Sequence, residues 1–183
     1  LSAHKFGGPK GTGVLYVREG VSLHPLAHGG GQEQHLRPGT ENVAGAVGLA
    51  VAAELAAAEQ AKEYVRLAGL RDSLQQALLA RVPGLGVNGA GAARLPHILH
   101  VSIPGVAQDA LLVALDLEGI GVSVASACQS GAAEPSHVLA AMGRVLAQGA
   151  SIRISLGRTT TPAEIERVAE VIPRVAGRVL ELV

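Results

Sequence analysis

Ser2-Ala3-His4-Lys5-Phe6-Gly7-Gly8-Pro9-Lys10-Gly11 sets a lysine in a crowded turn bounded by glycines. A hydroxyl and an imidazole precede Lys5, Pro9 fixes φ within the loop, and Gly7, Gly8, Gly11 and Gly13 let the backbone turn tightly. A lysine that must condense with a carbonyl needs a fixed position, partial desolvation and neighbours that lower its proton affinity. The alternative is a surface lysine in a glycine-rich hairpin, and this stretch alone leaves both open.

Downstream of this loop, Gly13-Val14-Leu15-Tyr16-Val17-Arg18 predicts a strand, and residues 19–41 a loop without helical periodicity. Residues 42–62, rich in Ala, Val and Leu, predict a largely buried helix capped by Thr40 or Glu41. A second helix is expected over 63–81, with Leu67, Leu70, Leu74, Leu78 and Val82 on one face and Val82-Pro83-Gly84 as its stop. Strand and helix then alternate. Strands are expected at 95–104, 122–126 and 151–156. Helices are expected at 107–118, at 136–142 with Ser136 as a candidate cap, and from Pro162 to about 180. The change of pattern near residue 62 predicts a domain boundary, giving 1–62 and an α+β part at 63–183.

Composition narrows the function. The 183 residues carry 15 basic and 15 acidic side chains, so no net charge draws the chain to nucleic acid or an anionic membrane. Aromatic content is 2%, too little for platforms that stack bases. The single cysteine excludes an intrachain disulfide or a Cys-rich zinc site and suggests a reducing, cytoplasmic setting. No apolar run reaches the roughly 18 residues of a membrane span, and no signal peptide is visible. The chain starts at Leu1 rather than Met, which reads as the C-terminal half of a longer polypeptide.

Other blocks carry potential chemistry. His28-Gly29-Gly30-Gly31-Gln32-Glu33 could bring backbone N–H groups close to a ligand, or be a mobile turn. Dinucleotide and P-loop fingerprints both fail, because Tyr16 and Val14 stand where each motif requires another residue. Arg37-Pro38-Gly39-Thr40-Glu41-Asn42 precedes a helix, where a hydroxyl and free N–H groups suit a phosphate; taken alone, the block favours Thr40 as simply a cap. Cys128, in Ser126-Ala127-Cys128-Gln129-Ser130-Gly131, has the small neighbours a mobile, exposed nucleophile needs, unlike a core cysteine. His137, beyond the intervening loop, is a candidate base for it. Arg153, alternating with Ile152 and Ile154, would offer a bidentate guanidinium to a carboxylate or make an edge-strand salt bridge. The pairs His24/His28 and His97/His100 lie on no convincing helix and have few nearby carboxylates, so no metal site is expected.

Four blocks in this order, the His4-Lys5 loop, Arg37 to Asn42, Ser126 to Ser130 with Glu134-Pro135-Ser136, and Ser151 to Thr160, resemble the cysteine desulfurases of the class V aminotransferase family. The Arg-x-Gly-Thr-x-Asn block and the long cysteine loop look most like the nitrogen-fixation and iron–sulfur-assembly branch. The resemblance implies an α/β fold, the C-terminal part of a fold type I pyridoxal-phosphate-dependent transferase: the end of the large domain plus a smaller α+β C-terminal domain. It further implies that Lys5 binds pyridoxal 5'-phosphate covalently, that Ser2 and His4 hold its phosphate with Thr40 from a partner subunit of a homodimer, and that Arg153 clamps L-cysteine. Cys128 would receive the sulfur as a persulfide, releasing alanine, and pass it to an acceptor or iron–sulfur scaffold protein.

In that family a ring-stacking histidine, an aspartate on the ring nitrogen and a phosphate loop precede the lysine, and this sequence lacks those segments. The isolated chain is therefore expected to bind cofactor poorly and turn over slowly or not at all. A selenocysteine lyase, a transaminase and a non-catalytic docking module for a sulfur acceptor are the other readings.

Overall fold

In the computed structural model, residues 1–124, 136–143 and 149–181 are described. They divide into two compact units, Leu1–Ala61 and Lys62–Val183, and the division falls within helix α1, Val43–Arg81. The expected pair of helices over 42–62 and 63–81 is one element. Its cause is local: the sequence around residue 62 is Ala-, Glu- and Lys-rich and holds neither proline nor a capping residue, so helix propagation continues. As one element α1 also contains an 18-residue window of mean hydropathy 1.3. By length and composition that suffices to cross a membrane, which corrects the expectation that no segment is long and apolar enough.

In the first unit Ala3–Phe6 forms a 3-10 turn and Ser2 makes an isolated antiparallel bridge to Gly13. The strand expected at 13–18 does not form beyond that bridge. Leu15 and Tyr16 are 74% and 85% exposed, and a β-rich run without a neighbouring strand has nothing to pair its backbone with. α1 is capped by neither Thr40 nor Glu41: Asn42 Oδ1 accepts from Gly45 N at 3.0 Å. The helix is also less buried than expected here, with Val43, Val47, Val51 and Leu55 exposed.

The second unit is a four-stranded antiparallel sheet backed by helices. Its elements are β1 (Gly86–Val87), β2 (Ile98–Pro104), α2 (Gln108–Leu117), β3 (Ser123–Val124), α3 (His137–Ala141), β4 (Gly149–Ser155) and α4 (Pro162–Leu180), with sheet order β1-β2-β4-β3. β2 pairs with β4 from Ile98↔Ser155 to Pro104↔Gly149. Period-2 alternation sends Leu99, Val101, Ile103, Ala150, Ile152 and Ile154 to one face. They meet Leu67, Leu74 and Leu78 of α1, Leu111 and Leu115 of α2, and Ile165, Ile172 and Val175 of α4 in one core. The leucine spacing in α1 thus reads correctly as a buried stripe. β2 starts at Ile98 rather than 95 because Pro96 cannot donate to the ladder. Ser136 occupies the N-cap position of α3 but makes no side-chain cap bond.

α4 has a complete capping box. Glu164 N donates to Thr161 Oγ1 at 3.3 Å, Thr161 N donates to Glu164 Oε2 at 2.7 Å, and Pro162 fills the first turn. Those bonds hold the Glu164 carboxyl below its ordinary pKa, the backbone N–H of Thr161 contributing most. Thr161→Ala should destabilise the second unit by about 1 kcal/mol, read as a lower denaturation midpoint at unchanged slope. Arg66 of α1 ties down the preceding loop, donating to the carbonyls of Thr160 (2.8 Å), Arg158 (3.1 Å) and Gly157 (3.2 Å) while paired with Glu63 at 2.8 Å.

Candidate functional site

The lysine loop is held by its own backbone. Ala3 N donates to Thr12 O (3.0 Å), Lys5 N to Ser2 O (3.1 Å), Gly8 N to Ala3 O (2.9 Å) and Val14 N to Leu1 O (3.0 Å). Gly7 (φ 90°) and Gly11 (φ 77°) occupy the left-handed region that the turn requires. The loop rests on the start of α1 where side chains are missing: a Cβ on Gly48 would lie 2.6 Å from Pro9 Cγ, and one on Gly45 would collide with the Thr12 hydroxyl. Ala3 is fully buried beneath the turn. The outcome is a rigid platform on which Ser2, His4 and Lys5 are exposed, and their side chains make no hydrogen bond or ion pair among the described residues.

Thr12 Oγ1 is buried without a partner, an orphaned hydroxyl inside this loop. Thr40, relieved of capping by Asn42, is exposed elsewhere in the same unit. The glycine run at 29–31 packs closely on Pro38, Gln32 and His35, and Gln32 Oε1 accepts from Gly39 N at 3.3 Å. Glu33, Gln34 and His35 all have positive φ, a left-handed turn that non-glycine residues rarely adopt. Residues 29–35 are therefore a turn, and the Arg37–Asn42 block that follows ends at the Asn42 cap of α1.

Arg153 lies in the second unit, on the sheet face opposite the core. Its Cα partners are His100 on β2 and Ser123 on β3. Its Nε is buried without a partner, and no salt bridge holds the guanidinium among the described residues, so the edge-strand ion pair does not form. A line of polar side chains crosses the same face. Asn88 Nδ2 lies 2.8 Å from His100 Nδ1 and donates to Ser102 Oγ at 2.8 Å; Ser102 and Ser151 hydroxyls are 2.9 Å apart. Sequence reasoning missed Asn88 and weighed His100 only as a metal ligand. Among the described residues no cluster of metal-ligating side chains exists. Cys128, its neighbours 126–130, and Glu134-Pro135 lie outside the described residues; His137 is exposed as the first residue of α3.

His100 is held below its ordinary pKa of 6.5, first by burial and then by the Arg153 charge. A depressed histidine pKa means that the unfolded chain takes up the proton first. This contribution to stability is present above pH ~6.5 and lost as pH falls through the folded-state value. Denaturation midpoints should therefore fall between pH ~7.5 and ~5, and His100→Asn should flatten that part of the profile.

The model of the family described as aminotransferase class V matches residues 1–168. The chain is 46% identical over 177 residues to a cysteine desulfurase IscS of Dictyoglomus turgidum, covering 96% of this chain and 45% of the relative. It is 46% identical over 183 residues to cysteine desulfurase 1 of Trichormus variabilis, covering 100% and 46%. Among solved structures, a NifS-like protein superposes with a TM-score of 0.84 at 39% identity, covering 97% of this chain and 45% of the other. The chain thus spans less than half the length of the curated relatives it matches.

Proposed function

Given that the chain belongs to the class V aminotransferase family and is related to cysteine desulfurases, we propose that it carries the lysine, thiol and arginine of a desulfurase acting on L-cysteine. The identity to cysteine desulfurases along almost its entire length carries this reading. Members of the family use pyridoxal phosphate. The lysine loop fits that group at its reactive end by position, with an exposed amine that has no partner among the described residues, on a glycine-lined turn. When bound, pyridoxal phosphate supplies the electron sink that lets the Cα–H bond of an amino acid break.

Lys5 would hold the group through Nζ and carry the proton removed from Cα. Ser2 and His4 would donate to its phosphate, joined by Thr40 from a second copy of the chain. The Arg153 guanidinium would take the substrate carboxylate in bidentate fashion. The Cys128 thiolate would attack the substrate sulfur: an S–S bond forms and the Cβ–S bond breaks. The released electron pair stays with carbon, which takes a proton to become alanine. The sulfur remains on Cys128 as a persulfide for an acceptor protein.

Product analysis tests this reading. With the rest of its relatives' length supplied as a second polypeptide, the cofactor-loaded protein given L-cysteine should yield alanine matched one-for-one by sulfane sulfur on the protein. A keto acid without sulfane sulfur would make it a transaminase instead. The purified chain alone is expected to give this product slowly or not at all, and robust turnover without any added polypeptide would contradict its needing the rest of its relatives' length.

A further inference from the structure

The polar face of the second unit's sheet contains two donors side by side without an acceptor. Asn88 Nδ2 only donates, so His100 Nδ1 must accept, and the ring proton then sits on Nε2. His100 Nε2 has no partner among the described residues, and neither has the buried Arg153 Nε on the strand directly opposite. The other polar residues of this face are Asn88, Ser102, Ser123, Ser151 and Ser155; the first, second and fourth are already joined in the hydrogen-bonded line. No carboxylate stands among them. Half-buried donors left like this favour a ligand that brings its own negative oxygens.

We propose that His100 is a specificity residue that donates through Nε2 to the same carboxylate that Arg153 binds, so that a carboxylate is gripped by two strands rather than one. The inference rests on the reading of Arg153 as the substrate's carboxylate site and names the second group in it. Asn88 is then a positioning residue: by occupying Nδ1 it fixes the tautomer that can donate. The arrangement also explains why an imidazole is tolerated beside a guanidinium. Burial and the neighbouring charge keep it neutral, so it adds a hydrogen bond without adding repulsion.

The test uses the whole 183-residue chain with isotope-labelled histidine, titrated with acetate and with L-alanine and followed by NMR. The expected result is an Nε2–H tautomer for His100 whose Nε2 signal shifts saturably. His100→Phe, which keeps a ring but removes the donor, should weaken binding about tenfold, the loss of one charge-assisted hydrogen bond. His100→Asn should restore part of it, and Arg153→Gln should abolish it. A proton on Nδ1, an Nε2 signal that ignores the carboxylate, or wild-type affinity in His100→Phe would each overturn the proposal. If no signal on this sheet face responds, the carboxylate role of Arg153 falls with it. Covalent capture of pyridoxal phosphate by Lys5 reports separately on the family reading, so the two failures are distinguishable.

Discussion

Cys128→Ala is expected to abolish transfer of sulfur from L-cysteine to the protein. The argument is one of chemical supply. Breaking the Cβ–S bond with sulfur retained requires a nucleophile that can form an S–S bond, and this chain has a single cysteine with no second thiol to replace it. The measurement, with the rest of its relatives' length supplied as a second polypeptide, is the sulfane sulfur trapped by alkylation after exposure to L-cysteine, together with the alanine formed. Cleavage of L-selenocysteine should persist in the variant, because selenium leaves without a thiol's help. Undiminished alanine from Cys128→Ala in the absence of added thiol would remove Cys128 from the reaction.

Leu74→Ala should lower the stability of the second unit by about 2–5 kcal/mol, the range for emptying a fully buried leucine site. Leu74 is 0% exposed and lies in the core with Leu78, Ile154 and Ile165. Its place is on a long helix whose backbone resists collapsing into the void, which favours the upper part of that range. Chemical denaturation at unchanged slope would measure the loss; a change below about 0.5 kcal/mol would mean that this stretch of α1 is not part of the core.

Part of the fold is legible in the order of residues alone. Leu67, Leu74, Leu78 and Val82 repeat at helical spacing, and Ile152 and Ile154 alternate with Arg153, so both buried faces follow from period. Thr161-Pro162-Ala163-Glu164 signals its helix start because capping is a local interaction. One expectation fails because it depends on a partner that local sequence does not name. Residues 14–17 have strand composition, but a strand exists only where another pairs with it. The expectation of two helices fails for a local reason: no proline or capping residue stops α1 near residue 62.

The candidate site divides the same way. Lys5 is visible because its glycine and proline neighbours are unusual for an ordinary surface lysine. The pairing of His100 with Arg153 is invisible, since it arises from the register of two strands separated by about half of the second unit. Asn88 enters only because a short edge segment brings it beside β2.

The most direct measurement is borohydride reduction of the chain in the presence of pyridoxal phosphate, followed by peptide mapping. Lys5, Lys10 and Lys62 are its only lysines, so the outcome is unambiguous. The account predicts that the pyridoxyl label concentrates on Lys5. Label absent from Lys5, or spread evenly over Lys10 and Lys62 as well, would contradict it.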